Sequence, residues 1–255
     1  MKTAVLIASE MRSFSYCLPT IRWHLLRHFD DLTFFISTVE DEYTESAKLL
    51  EKYYPKDRIH IEIPDRPVHP IIESRDPYWA PKTDSSPLTI RDIFSHEPFA
   101  ISVTPERILQ QAWQLQQCWR LMEEESKIKF DTYIRLRPDS YFRDFRFDSV
   151  YSQPSSHHVY VPWWAQCGGI NDRFAILGSF AAKVYFNYIN EISSLIQHGC
   201  PFHPESLLEG ALTLAGCKIG ASIIIDFAKL YMPSGFFRDP EVSWQDLAER
   251  LTSHT

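Results

Sequence analysis

The fold is decided by residues 3–9, TAVLIAS, a short continuous apolar run near the first residue. A run of this length without alternation suits a strand buried on both faces, as at the centre of a parallel sheet. Working outward, residues 19–29 (PTIRWHLLRHF) carry apolar side chains at 21, 25, 26 and 29, with Pro19 near the first turn, which predicts a helix. Residues 32–38 (LTFFIST) predict a second strand, 42–54 (EYTESAKLLEKYY) a second helix and 58–64 (RIHIEIP) a third strand. The order β-α-β-α-β over the first 64 residues is the doubly wound α/β pattern.

Residues 64–105 break that rhythm with eight prolines, Asp and Ser clusters and Tyr78-Trp79. A long ordered loop or insertion at about 65–103 is expected, either functional or a surface excursion. Thr104-Pro105-Glu106 then opens a helix with a capping threonine, proline in the first turn and an acid behind it. Ile108, Ala112, Leu115, Trp119 and Met122 mark one face of that helix, to about residue 125. Further elements are expected as a strand at 159–164, a helix at 178–197, a helix at 204–216 stopped by Gly216, a strand at 221–226 and a closing helix at 243–251. A length of 255 residues suits one α/β domain carrying an insertion.

A hydrophobic share of 44% and an aromatic share of 14% are ample for a folded core. The formal charge of −7 provides no general basic field, which argues against nucleic acid or an anionic membrane as partner. It leaves room for a local basic pocket facing a small phosphorylated ligand. The five cysteines are odd in number and form no C-x-x-C pair, as expected in a reducing compartment. MKTAVLIASEMRSF holds about six apolar residues in a row, short of a signal h-region. No run approaches the ~20 apolar residues of a membrane span. A soluble, cytoplasmic protein without a transmembrane segment is the expectation.

Candidate chemistry starts at residues 133–142, YIRLRPDSYF. In a strand, Tyr133, Arg135 and Arg137 share one face and Ile134 and Leu136 the other. Pro138 cannot donate to a ladder, so the strand ends there and Asp139 falls just past its carboxyl end. That edge is where open α/β sheets bind ligands. A carboxylate there can hold a divalent cation, and the arginines can meet phosphate oxygens. The alternative is an internal Arg–Asp network that only fixes the loop. Charge inside a sheet is costly when unpaired, which tilts the choice toward function.

Three further stretches stand out. Ser9, Glu10 and Arg12 follow the first strand, where a nucleotide would lie, although the turn is neither G-x-G-x-x-G nor a P-loop. The plainer alternative has Ser9 or Ser13 capping the next helix. Gly168-Gly169 permits a close backbone approach, with Asn171 and Asp172 directly beyond and Trp163-Trp164 before it as a flat apolar wall. The alternative there is a turn with an Asx cap. Glu205 sits in the first turn of a helix, either as a simple dipole partner or as a general base.

ASEMRSF (8–14), IRLRPD (134–139) and GGINDRFAIL (168–177) together resemble nucleotide-sugar-dependent glycosyltransferases of the GT-A fold, in particular capsule-type and viral glycosyltransferase-like proteins with R-x-R-P-D and G-G-x-N-D-x-F-A motifs. The likeness covers most of the chain apart from the insertion. It implies a GT-A-like (Rossmann-like) mixed, mainly parallel sheet flanked by helices, with residues 1–255 as one catalytic domain. It implies transfer of a sugar from a UDP- or GDP-sugar donor to a hydroxyl of a glycan acceptor, with inversion. The rival readings are a nucleotidyltransferase and a non-catalytic nucleotide- or sugar-binding module.

By the same resemblance Ser9, Glu10, Arg12, Arg135, Arg137 and Asp139 would serve the nucleotide and diphosphate. Trp163, Trp164, Gly168, Gly169 and Asn171 would line the sugar and acceptor cleft, and Glu205 or Asp172 would be the base. The family's D-x-D motif chelates Mn²⁺ or Mg²⁺. This chain keeps Asp139 as the candidate metal ligand but has Arg137 where the first acid would stand, so an arginine could neutralise the leaving group directly. The family pattern also has a second acid at position 206, where this chain has Ser206, which keeps Asp172 in competition with Glu205.

Overall fold

The computed structural model describes residues 1–41, 44–65, 105–162, 169–200, 202–223 and 225–229. The expected insertion at about 65–103 lies almost wholly outside these residues, as do the closing helix at 243–251, Trp163, Trp164 and Gly168.

Strand β1 (Thr3–Ala8) is buried along its whole length. Ala4, Leu6 and Ala8 face one core and Val5 and Ile7 the other, as expected of a central strand covered on both sides. It pairs in parallel with β2 (Leu32–Ser37) and with β4 (Thr132–Leu136), and β2 pairs in parallel with β3 (Ile59–Glu62). Beyond β4 comes β7 (Phe174–Leu177), antiparallel to β4 and to β6 (His158–Pro162), and β6 runs parallel to β8 (Lys218–Ile223). The sheet order is β3-β2-β1-β4-β7-β6-β8, so the sheet is mixed and mainly parallel. Strands β5 (Ser140–Phe145) and β9 (Ile225–Lys229) form a second, antiparallel pair.

Helix α1 (Phe14–His24) packs on the Val5 and Ile7 side. On the other side lie α2 (Pro105–Glu125), α3 (Ser179–Asn187), α4 (Ile192–Gln197) and α5 (Pro204–Leu214). Every residue of the expected α2 stripe is buried. Among the described residues no helix is long and apolar enough to cross a membrane, and Cys17, Cys118, Cys200 and Cys217 are free thiols.

Several elements depart from expectation for local reasons. Helix α1 begins five residues before Pro19 and holds that proline in its interior. The buried face of Phe14, Cys17, Leu18 and Ile21 outweighs the proline's cost of about 3 kcal/mol. The segment Thr44–Lys52 is a 3₁₀ helix rather than an α-helix. Its buried residues, Ala47 and Leu50, are three apart, the spacing that eclipses in a 3₁₀ helix.

The expected helix at 178–197 is split into α3, a 3₁₀ turn (Tyr188–Glu191) and α4. At the break the Asn187 amide donates to the Lys183 carbonyl at 2.8 Å, a side chain competing with the backbone ladder. The expected single strand at 221–226 is divided between β8, which joins β6, and β9, which joins β5. Strands β5 and β7 were not foreseen, since four to six residues give too short a periodic signal.

Candidate active site

Strand β4 alternates as expected: Tyr133 packs toward α2, while Ile134 and Leu136 pack toward α1. Arg135 therefore points toward α2 and α3, where it is 1% exposed. Its guanidinium donates to the Leu136 carbonyl at 2.8 Å and to the Ala8 carbonyl at 3.2 Å. Burial pulls its pKa down, opposed by the Tyr185 hydroxyl close by. Arg135 thus ties the carboxyl ends of β4 and β1 together from behind, rather than standing in the open edge.

Arg137 lies one residue past the end of β4, with its amide donating to the Arg173 carbonyl at 3.1 Å. Its guanidinium forks onto Asp139, Nε to Oδ1 at 3.0 Å and one Nη to Oδ2 at 2.9 Å. Burial alone would lower the Arg137 pKa; the Asp139 carboxylate outweighs it and fixes the guanidinium as a cation. Both side chains remain 17% exposed. The internal Arg–Asp network weighed from the sequence is therefore present, at the edge itself.

This arrangement does not suit a divalent cation. Both Asp139 oxygens serve the Arg137 fork, and a guanidinium occupies the place of a second carboxylate. Among the described residues no group of three or more His, Cys, Asp or Glu side chains could hold a metal ion. Fixed positive charge is what this edge offers an anionic ligand.

Ser9 follows the carbonyl that Arg135 holds, and its amide donates to Ser37 at 3.3 Å. Glu10 and Arg12 form an ion pair with each other, about two-fifths exposed. Ser13 precedes α1 but makes no capping hydrogen bond. Helix α1 then runs past the edge, and Asp139 contributes, after burial, to raising the Cys17 pKa.

Residues 169–173 run back toward β4 and press against the start of α5. A Cβ on Gly169 would lie 2.2 Å from the Glu205 carbonyl carbon, and the Ile170 amide donates to that carbonyl at 3.3 Å. The glycine is needed for contact with another stretch of backbone. Asn171 accepts from the Arg173 amide at 2.9 Å, the Asx turn weighed from the sequence.

Asp172 is 6% exposed and accepts a hydrogen bond from the Gln111 amide nitrogen of α2. The Tyr185 hydroxyl donates to the Asp172 carbonyl at 3.2 Å. Glu205 lies in the first turn of α5 behind Pro204, with Oε2 3.2 Å from His203 Nδ1. Burial first, and the Asp172 carboxylate second, push the Glu205 pKa up to about 8. Burial lowers His203 to about 4, so its ring is neutral at neutral pH.

The two rival bases, Asp172 and Glu205, thus share one buried site, and the Arg137 and Arg173 guanidiniums act on it. Arg135, Arg137 and Arg173 lie close enough to the Asp139, Asp172 and Glu205 carboxyls to act on them. Such a site suits carboxyl proton chemistry beside an anionic ligand.

Gln111, Arg173, Tyr185, Tyr188 and His203 were not among the sequence candidates. Gln111 flanks the buried α2 stripe, one residue before Ala112. Tyr185 and Tyr188 lie on the buried face of an amphipathic segment, where a hydroxyl needs a partner. Those were the available signals.

No family model matches the chain, and no curated protein matches it. Among solved structures it is similar to the galactosyltransferase LgtC in complex with donor and acceptor sugar analogues, and to an active-site mutant of LgtC. Each likeness has a TM-score of 0.43 and 10% identity, over 82% of this chain and 70% of the other. At that level the likeness assigns no donor, acceptor or stereochemical course.

Proposed function

We propose that the chain is a glycosyltransferase, moving a sugar from a nucleotide-sugar donor to a hydroxyl of a glycan acceptor with inversion. The observation that carries this reading is the buried Asp172–Glu205 pair set beside the Arg137–Asp139 fork at the carboxyl edge of β4. The R-x-R-P-D and G-G-x-N-D-x-F-A resemblance supports the same assignment.

In this mechanism the nucleotide lies along Ser9, Glu10 and Arg12. Its diphosphate meets Arg137, held by Asp139 and backed by Arg135. A carboxylate oxygen of the pair takes the acceptor hydroxyl proton while the hydroxyl oxygen bonds to the anomeric carbon. The bond from that carbon to the diphosphate breaks, and its electron pair stays on the leaving oxygen facing the guanidinium. A single displacement of this kind inverts the centre. Trp163, Trp164, Gly168, Gly169 and Asn171 would bound the sugar and acceptor.

The test is a panel of UDP-, GDP- and dTDP-sugars, with and without Mn²⁺, read by thermal shift and by product chromatography. Stabilisation by one donor class, with release of free nucleoside diphosphate in the presence of acceptor, is expected. Pyrophosphate release would assign nucleotidyl transfer instead. Stabilisation without turnover would leave a binding module.

A further inference from the structure

We propose that Gln111 is a positioning residue that holds the Asp172 carboxyl in place beside Glu205 and thereby governs how firmly Glu205 keeps its proton. This rests on the glycosyltransferase reading for the ligand's identity, and on the Gln111–Asp172 hydrogen bond and the buried Glu205 oxygen for the roles of the two side chains.

The backbone brings the segment that carries Asp172 against the start of α5, which carries Glu205. Gly169 allows residues 169–173 to lie against the Glu205–Ser206 peptide, and the Ile170 amide bonds the Glu205 carbonyl there. Two carboxyl groups sharing a buried site do not both ionise cheaply, so their surroundings decide which one keeps the proton.

Those surroundings are unequal. On Asp172, the Gln111 amide nitrogen donates to Oδ2. An amide nitrogen cannot accept, so it favours the carboxylate. Asp172 also acts on both Arg135 and Arg137 of the β4 side. On Glu205, Oε2 is buried with no aligned hydrogen-bond donor among the described residues, and the ring 3.2 Å away belongs to a neutral His203.

The charged and titratable groups facing Glu205 can be named element by element. Arg137 comes from the end of β4, Asp172 and Arg173 from the segment before β7, and His203 from the segment before α5. Tyr185 of α3 and Tyr188 of the following turn also face the pair, and burial raises both, so they stay uncharged. The arginines oppose the upward push on Glu205 but do not overcome burial and Asp172. A coupled pair of this kind responds as a unit when one partner's hydrogen bond is removed.

The experiment is a side-chain carboxyl ¹³C NMR titration of the full chain, which needs no donor and no turnover. In the native sequence Glu205 is expected to titrate near pH 8. Gln111→Met keeps the length and removes the donor. It should move the Glu205 titration down by about one pH unit or more. Gln111→Asn, which withdraws the amide by one methylene, should move Glu205 the same way and serves if the methionine variant folds poorly. Asp172→Asn should also lower Glu205. A Glu205 titration that follows Asp172→Asn but ignores both Gln111 variants would overturn the role of Gln111. Titrations that move as described in a protein with no turnover on any donor would sink the glycosyltransferase reading and leave this inference standing.

Discussion

At the residue scale, the two charges of R-P-D do different work from the arginine before them. Arg137 and Asp139 form one half-buried, bidentate unit at the edge, whereas Arg135 is a fully buried brace between two strand ends. Asp139→Ala removes both acceptors of the fork and frees Arg137 to swing. Turnover with a proven donor should fall about 100-fold or more, the usual effect of losing a preorganised charge partner. Near-normal turnover would remove Asp139 from the site. Because both Asp139 oxygens are taken by Arg137, chelation with EDTA should leave turnover unchanged. An activity lost in EDTA and restored by Mn²⁺ would return Asp139 to metal binding. Arg137 and Asp139 were legible because a proline ends the strand between them. The bond from Gln111 to Asp172 was not, since it joins residues 61 apart and no local pattern encodes such a meeting.

At the element scale, the site depends on how closely the segment before β7 approaches α5. Gly169→Ala places a Cβ 2.2 Å from backbone that cannot yield like a flexible side chain. The variant should lose about 3 kcal/mol of stability by urea unfolding. Gly220→Ala, whose Cβ would meet the Tyr160 ring at an ordinary 3.5 Å, is the matched control and should lose less than about 1 kcal/mol. Equal losses would show that the close approach is not what requires the glycine. The glycine pair was visible in the sequence as a place of close approach. Its neighbour was not, because the Glu205 peptide belongs to a helix more than thirty residues on.

At the scale of the whole molecule, the buried Glu205 and His203 give stability a definite pH dependence. The Glu205 pKa is raised from 4.5 to about 8, so the folded chain keeps a proton that the unfolded chain has released, and stability falls as pH rises through that window. The His203 pKa is lowered from 6.5 to about 4, so the folded chain lacks a proton the unfolded chain holds, and stability falls as pH drops through that window. The two slopes oppose between pH 4.5 and 6.5 and cancel, which confines the net loss from this pair to pH 6.5–8. One proton over that interval amounts to at most about 2 kcal/mol. Urea midpoints at pH 6.5, 7 and 8 should therefore decline in the native sequence and stay level in Glu205→Gln, and a native profile as flat as the variant's would contradict the buried-acid assignment. Apolar spacing and a strand-ending proline act over a few residues, and they were enough to give the sheet's central strands, the α2 stripe and the place of Arg137 and Asp139 at a carboxyl edge. Packing was needed for Arg135 to be buried as a brace, for Gly169 to make room for Glu205, and for burial and Asp172 to raise Glu205. Those outcomes depend on desolvation and on contacts between distant segments, and neither exists until the chain has packed.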